Sequence, residues 1–291
     1  MPRLWTLGGL SLSDLARRTA RESWQDSVFG QGGRMAFYQF LAIFPSLAVF
    51  LFLGARIPHL VDSMKSALQD FSGQLFPDQV SKLLQGVLNE QRGGALSGTQ
   101  MVFTCVGALW AALNGAWAMI YGLNRAYEVE ERRSWWRLAV TIAGLTLSSA
   151  VTACIAIFVI FFSRQFQRGI APQILEWLAL IAALWFAIAV LYRFAPNLRD
   201  HEWRWSTPGA ALALALWLGA TVLARIYFGR INDYSHTYGH LNGVAMLLLW
   251  LYVTNGAILI GGEMNSEIEK ASTRRTSSQK TSGPPSHSSR G

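Results

Sequence analysis

The chain has 291 residues, of which 52% are hydrophobic and only 14% charged, against about 25% charged in soluble domains. That composition excludes an ordinary water-soluble globular protein. The net charge of +8 invites a nucleic-acid reading, but the basic residues follow a topological pattern, so no nucleic-acid partner is expected.

Six apolar stretches lie at roughly 35–57, 101–123, 138–162, 174–195, 209–228 and 241–264. Each is long enough to cross a bilayer, which takes about 20 mostly apolar residues. A backbone inside lipid must satisfy its polar groups internally, so these spans are helices. The expected fold is an all-α membrane protein with six transmembrane helices, supplemented by amphipathic interfacial and periplasmic helices. If the N-terminus is cytoplasmic, 17 of the 25 Lys and Arg residues fall on the cytoplasmic side. The positive-inside rule therefore orients both termini towards the cytoplasm.

In chain order, residues 1–34 form a cytoplasmic N-terminal segment with an amphipathic helix over 11–29. Leu12, Leu15, Thr19 and Val28 share one side, while Arg17, Arg18 and Arg21 can reach anionic headgroups. A helix packed on the rest of the protein fits the same pattern. No cleavable signal peptide is apparent, because Arg17, Arg18, Arg21, Glu22 and Asp26 occupy the place of an apolar core. Residues 35–266 make the transmembrane domain. Its first span contains Pro45, which removes a helix hydrogen bond and is a candidate hinge.

The loop 58–98 is expected to be periplasmic and to hold two short amphipathic helices. Gly107, Ala111 and Gly115 in the second span, and Ala211, Ala215 and Gly219 in the fifth, allow close helix contacts. Such stripes serve contacts within a chain or between copies, which leaves a homo-oligomer open. The connection 124–137 alternates charge, and Trp135, Trp136, Trp203 and Trp205 stand at span ends as interfacial anchors. Cys105 and Cys154 lie within spans as small hydrophobes. Residues 267–291 form a polar tail with nothing to bury and are expected to be disordered.

Polar groups inside a membrane are costly and are functional candidates. Asn114 and Asn255 sit near the middle of the second and sixth spans, with Glu263 and Asn265 at the end of the sixth. The second and sixth spans also share a local pattern. Asn114-Gly115-Ala116 precedes Asn124, Asn255-Gly256-Ala257 precedes Asn265, and Trp110 and Trp250 stand upstream. A polar lining of Asn114, Asn255, Glu263 and Asn265 between these two spans would suit a transport site; interhelical hydrogen bonding explains the same amides at roughly 0.6 kcal/mol each. Arg225 near the end of the fifth span is expected to snorkel outward. His236 and His240 have i, i+4 spacing, but only Asp233 stands nearby as a third ligand. No metal, cofactor or enzymatic activity is expected: phosphate loop, nucleophile elbow and zinc-hydrolase motifs are all absent from the sequence.

Three segments together resemble a known family. They are Ala36-Phe37-Tyr38 with Leu41-Ala42-Ile43-Phe44-Pro45, then Leu123 to Arg132, then Tyr238-Gly239 with Leu249-Trp250-Leu251-Tyr252 and Gly262-Glu263-Met264-Asn265. These are similar to the YihY/BrkB family of bacterial inner-membrane proteins, over about residues 10–270. His240 and Met264 depart from the family's usual small residue and Leu. The resemblance implies six membrane helices and a link to envelope integrity. Members have often been labelled ribonuclease BN, yet a metal-dependent nuclease needs clustered ligands, and the predicted cytoplasmic side offers only His201 and His287. The expected function is transport or export of a lipid or small solute, with membrane lipids and an unknown substrate as partners. A non-transporting membrane scaffold is the alternative, and a tRNA-processing ribonuclease the remote one.

Overall fold

The computed structural model describes residues 4–54, 98–165, 170–198, 208–230 and 241–281. Among them are seven α-helices and no strand. After a 3-10 turn at Leu4–Gly9 come α1 (Leu12–Gln25), α2 (Val28–Gly54), α3 (Gly98–Ala126), α4 (Trp135–Gln165), α5 (Ile170–Phe194), α6 (Pro208–Arg230) and α7 (Leu241–Thr281). The expected helices of loop 58–98 fall, apart from Gly98, outside the described residues. So do His201, Trp203, Trp205, Asp233, His236, His240 and residues 282–291.

Each of the six apolar stretches falls, over its described residues, on a helix. Four helices are long and apolar enough to cross a membrane by length and composition: Gly98–Ala126, Trp135–Ala156, Ile174–Phe194 and Gly243–Arg275. The apolar run of α6, Pro208–Ala224, is shorter. Large apolar side chains cover the outside of these helices, including Phe103 at 74% exposure, Leu147 at 66% and Leu175 at 68%. A contiguous apolar exterior of this kind is stable in hydrocarbon and not in water. Trp135 and Trp136 stack at a centroid distance of 4.4 Å at the start of α4, exposed as interfacial anchors would be. Cys154 is exposed on α4 rather than buried.

Local signals set the helix starts. Ser11 caps α1 by accepting the Asp14 N–H at 3.1 Å, with Asp14 itself in the first turn. Pro208 opens α6, where a missing N–H costs nothing. Only Asp26 and Ser27 separate α1 from α2, and Ser27 turns the chain with a left-handed φ of 54°. The second helix runs without interruption through Pro45.

α2 packs against both α3 and α7, α6 packs along α7, and α4 along α5. One core joins them: Met35 of α2, Leu123 of α3, Ile142 of α4, Ile188 and Tyr192 of α5, Ala213 of α6 and Leu259 of α7. The N-terminal helix packs on the protein, with Leu15 buried against Ile268 and Met264 of α7, while Leu12 is left exposed.

α7 corrects the expected tail. It continues past residue 266 to Thr281, about 60 Å in all. Ile268 is fully buried, Ser272 is nearly so, and an Arg275 Nη2 donates to the Gly9 carbonyl at 2.9 Å. The polar composition hid this, because the extension is stabilised by the N-terminal segment and not by an apolar face of its own. Both described ends of the chain consequently lie at the same end of the bundle.

At the α6–α7 crossing, a Cβ on Gly209 would fall onto the Gly261 carbonyl, and one on Gly261 would strike Tyr192 Oη and the Gly209 carbonyl. The helices therefore meet backbone to backbone. Gly261→Ala should lower stability by about 1–3 kcal/mol through overpacking, although alanine is the better helix former. Thermal unfolding of the purified variant beside wild type measures this. Equal stability would mean the crossing is looser than described.

Candidate functional site

The four amides and acids expected to form one polar lining take four different roles. Asn255 is fully buried and pairs with Gln39 of α2 through both amides: Gln39 Nε2 donates to Asn255 Oδ1 at 3.1 Å, and Asn255 Nδ2 donates to Gln39 Oε1 at 2.7 Å. Asn255 Nδ2 also donates to the Leu251 carbonyl at 2.8 Å. Asn114 donates back to the Trp110 carbonyl of its own helix at 2.7 Å. Asn265 Oδ1 accepts the Gly209 N–H at 2.9 Å, capping the first turn of α6 from a neighbouring helix. Glu263 is 1% exposed, and neither carboxylate oxygen has a hydrogen-bond partner among the described residues.

No hydrogen bond joins any two of these four. α3 and α7 approach one another near Leu123 and Gly262; towards the other end α2 stands against both, with Tyr38 beside Gly115 and Gln39 on Asn255. With α7 continuing beyond it, Glu263 is a mid-helix residue rather than a terminal one. The side chain of Arg225 lies outside the described residues.

The two Asn pairs nonetheless act alike. Asn114 and Asn255 each donate to a carbonyl four residues back. Asn124 Oδ1 accepts the Asn197 N–H at 2.8 Å just as Asn265 Oδ1 accepts that of Gly209.

Gln39 was the overlooked partner. An amide in an otherwise apolar run was its signal. A second polar assembly, around the connection 127–134, shows in sequence only as alternating charge. Glu131 accepts from Arg133 Nη2 at 2.6 Å, from Arg133 Nε at 2.8 Å and from Asn124 Nδ2 at 2.9 Å. Arg133 in turn donates to the carbonyls of Phe194 and Ala195 at 3.2 and 2.7 Å, placing a cation on the C-terminus of α5. Partial burial pushes the Glu131 carboxyl up, but Arg133, by side chain and backbone, and Asn124 together hold it below its ordinary value. Beside it, burial pushes the Tyr127 hydroxyl above its usual range, the Asn265 amide partly opposing.

An apolar concavity lies elsewhere among the described residues. A cavity of about 460 Å³ lies between α6 and α7, lined by Trp217, Ala220, Thr221, Leu223, Met246, Leu249, Trp250, Val253 and Thr254. A second of about 320 Å³ shares Ala220, Leu223 and Val253 and extends to Gly256, Ile260 and Phe29 of α2. Both are open to the outside of the bundle. Trp217 and Trp250 meet edge to face at 6.1 Å. Thr221 and Thr254 turn their hydroxyls onto carbonyls of their own helices, which leaves the surface apolar. From Met246 to Ile260 the groove follows α7 for about 21 Å. Among the described residues no group of three or more His, Cys, Asp or Glu is disposed to hold a metal ion.

Residues 19–285 match the family model described as Virulence factor BrkB. The chain belongs to the BrkB family. It is 30% identical to the ribonuclease-like protein YfkH of Bacillus subtilis, across 82% of this chain and 90% of that one. It is 21% identical to a UPF0761 membrane protein of Psychromonas ingrahamii, across 86% of each chain. With a UPF0761 membrane protein of Albidiferax ferrireducens the identity is 27% across 84% of this chain, which spans 60% of that relative. No solved structure matches. The apolar helices and these relatives make it a multi-pass membrane protein of the BrkB family.

Two outcomes test the polar assemblies. Truncating Asn255 to Ala strands the Gln39 amide, and a double-mutant cycle with Gln39→Ala should give a coupling of about 0.6–1.7 kcal/mol. A coupling near zero in thermal unfolding would mean the pair is not formed. The Glu131 carboxyl is depressed in the folded protein, so its contribution is complete above the unfolded value near 4.5 and is lost as pH falls through the folded value. Thermal midpoints followed from about pH 6 downward should fall more steeply for wild type than for Glu131→Gln.

Proposed function

We propose that this BrkB-family protein binds and moves a membrane lipid along the groove between α6 and α7. The single observation that supports this most is the groove itself: open-sided, apolar and about 21 Å long, against a hydrocarbon core of about 30 Å. Its combined size is in the range of small-molecule sites, about 300–1,000 Å³. A water-soluble solute would find little polar surface there to exchange for its hydration, since the Thr221 and Thr254 hydroxyls are bonded to their own helices. The four-residue polar lining expected from sequence has a weaker claim, since Asn255 and the Asn265 oxygen are occupied within the fold.

In this reading all six apolar helices, α2 to α7, span the inner membrane. Both termini are cytoplasmic, because Arg17, Arg18, Arg21, Arg125, Arg132, Arg133, Arg137 and Lys270 gather at the end that holds them. The satisfied amides favour the second reading, a non-transporting scaffold of the envelope. No enzymatic step is assigned. The ribonuclease-like name belongs to the Bacillus relative.

Ala220 borders both cavities and is only partly buried, so Ala220→Trp should fill the groove without disturbing the core. In liposomes carrying fluorescent phospholipid, wild type should speed translocation several-fold over empty vesicles, and the folded variant should lose most of that. If wild type gives no acceleration, the lipid reading is wrong and the scaffold takes its place.

A further inference from the structure

The inward stripe of α1 is Leu15, Thr19 and Ser23, at 2%, 4% and 5% exposure. Leu15 packs against Ile268 and Met264, as an apolar contact should. The next two positions are hydroxyls, and they behave unlike the other hydroxyls of these helices. Thr104, Thr146, Ser149, Thr152, Thr221 and Thr254 all donate to the carbonyl four residues back. Thr19 Oγ1 and Ser23 Oγ make no hydrogen bond among the described residues. They point into the packed interface instead.

Across that interface stands Glu263, with both oxygens unpartnered and with Glu22 of α1 and Asp26, just past its end, within electrostatic range. Gln31 of α2 lies in register between Val28 and Met35, which share a core with Leu259, one turn before Glu263. Its Oε1 is buried and unpartnered as well. The nearby side-chain cations are committed elsewhere. Lys270 bonds Glu128 and Glu267, each at 2.9 Å, and Arg125 holds Asp26 at 3.1 Å. Five buried oxygens on these three helices thus make no hydrogen bond among the described residues: three are acceptors only, in Glu263 and Gln31, and two are hydroxyls that can accept as well as donate. A carboxylate so buried must be balanced by a cation or take up a proton.

We infer that Glu263, Ser23, Thr19 and Gln31 form a site for a monovalent alkali cation that fastens α1 to α2 and α7. Hard cations take oxygen ligands, and a single carboxylate balances a single positive charge. The site lies apart from the α6–α7 groove and does not depend on the lipid reading.

The test uses the full chain in lipid nanodiscs. Thermal midpoints are followed in sodium, potassium and choline chloride at one pH and one ionic strength, for wild type, Glu263→Gln and Ser23→Ala. Wild type should show a saturable rise of roughly 5 °C with sodium or potassium over choline. Glu263→Gln should lose it, and Ser23→Ala should need several-fold more salt for half the effect. Equal midpoints in choline would overturn the site, as would a shift retained in folded Glu263→Gln. A carboxyl dependence that follows pH alone, indifferent to sodium and potassium, would overturn it too, because the ligand would then be a proton. If Glu263→Gln does not give a single monodisperse species, the half-saturation of Ser23→Ala and Thr19→Ala decides. Lipid movement enters none of these readouts, so the cation site and the lipid groove stand or fall separately.

Discussion

The contact of α6 with α7 at Gly209 and Gly261, made without any side chain between, sets much of the remaining arrangement. It brings the start of α6 so near α7 that Asn265 can take the N–H of Gly209. It also admits Tyr192 of α5, whose hydroxyl donates to the Ile258 carbonyl at 2.5 Å. Further along the same two helices lies the groove bounded by Trp217 and Trp250.

Lipid surroundings impose a second condition, that polar groups find partners within the protein. The Gln39–Asn255 pair and the Arg133–Glu131–Asn124 cluster meet it. Each ties together helices that the chain order does not place side by side: α2 to α7 in one case, and the ends of α3 and α5 in the other. Against that background Thr19, Ser23, the Gln31 oxygen and Glu263 stand out as buried polar groups that make no hydrogen bond among the described residues.

The apolar runs were legible because a span must be apolar along its length whatever surrounds it. The six stretches could be drawn from hydropathy alone, and the described residues of each lie on a helix. The family was legible too, from three short segments in the right order. The polar site was not. Asn114, Asn255, Glu263 and Asn265 are individually unusual in an apolar run, but hydrogen-bond partners on other helices decide whether such residues are open or occupied. Gln39 occupies one, Gly209 another, and no local pattern announces either. The tail misled for the same reason in reverse: its residues have no apolar stripe, and it is helical through contacts with the first dozen residues and α1.

The sequence by itself determined the solvent, the helical class and the approximate helix positions, since these depend on each segment's own composition and on the need to close backbone hydrogen bonds locally. Tertiary structure decided which helices are neighbours, which polar side chains are spent on packing, and where an apolar groove opens. Those outcomes depend on shape matching between segments as distant as Gly209 and Gly261 or Gln39 and Asn255. Such pairings are properties of two surfaces meeting, and neither surface carries them alone.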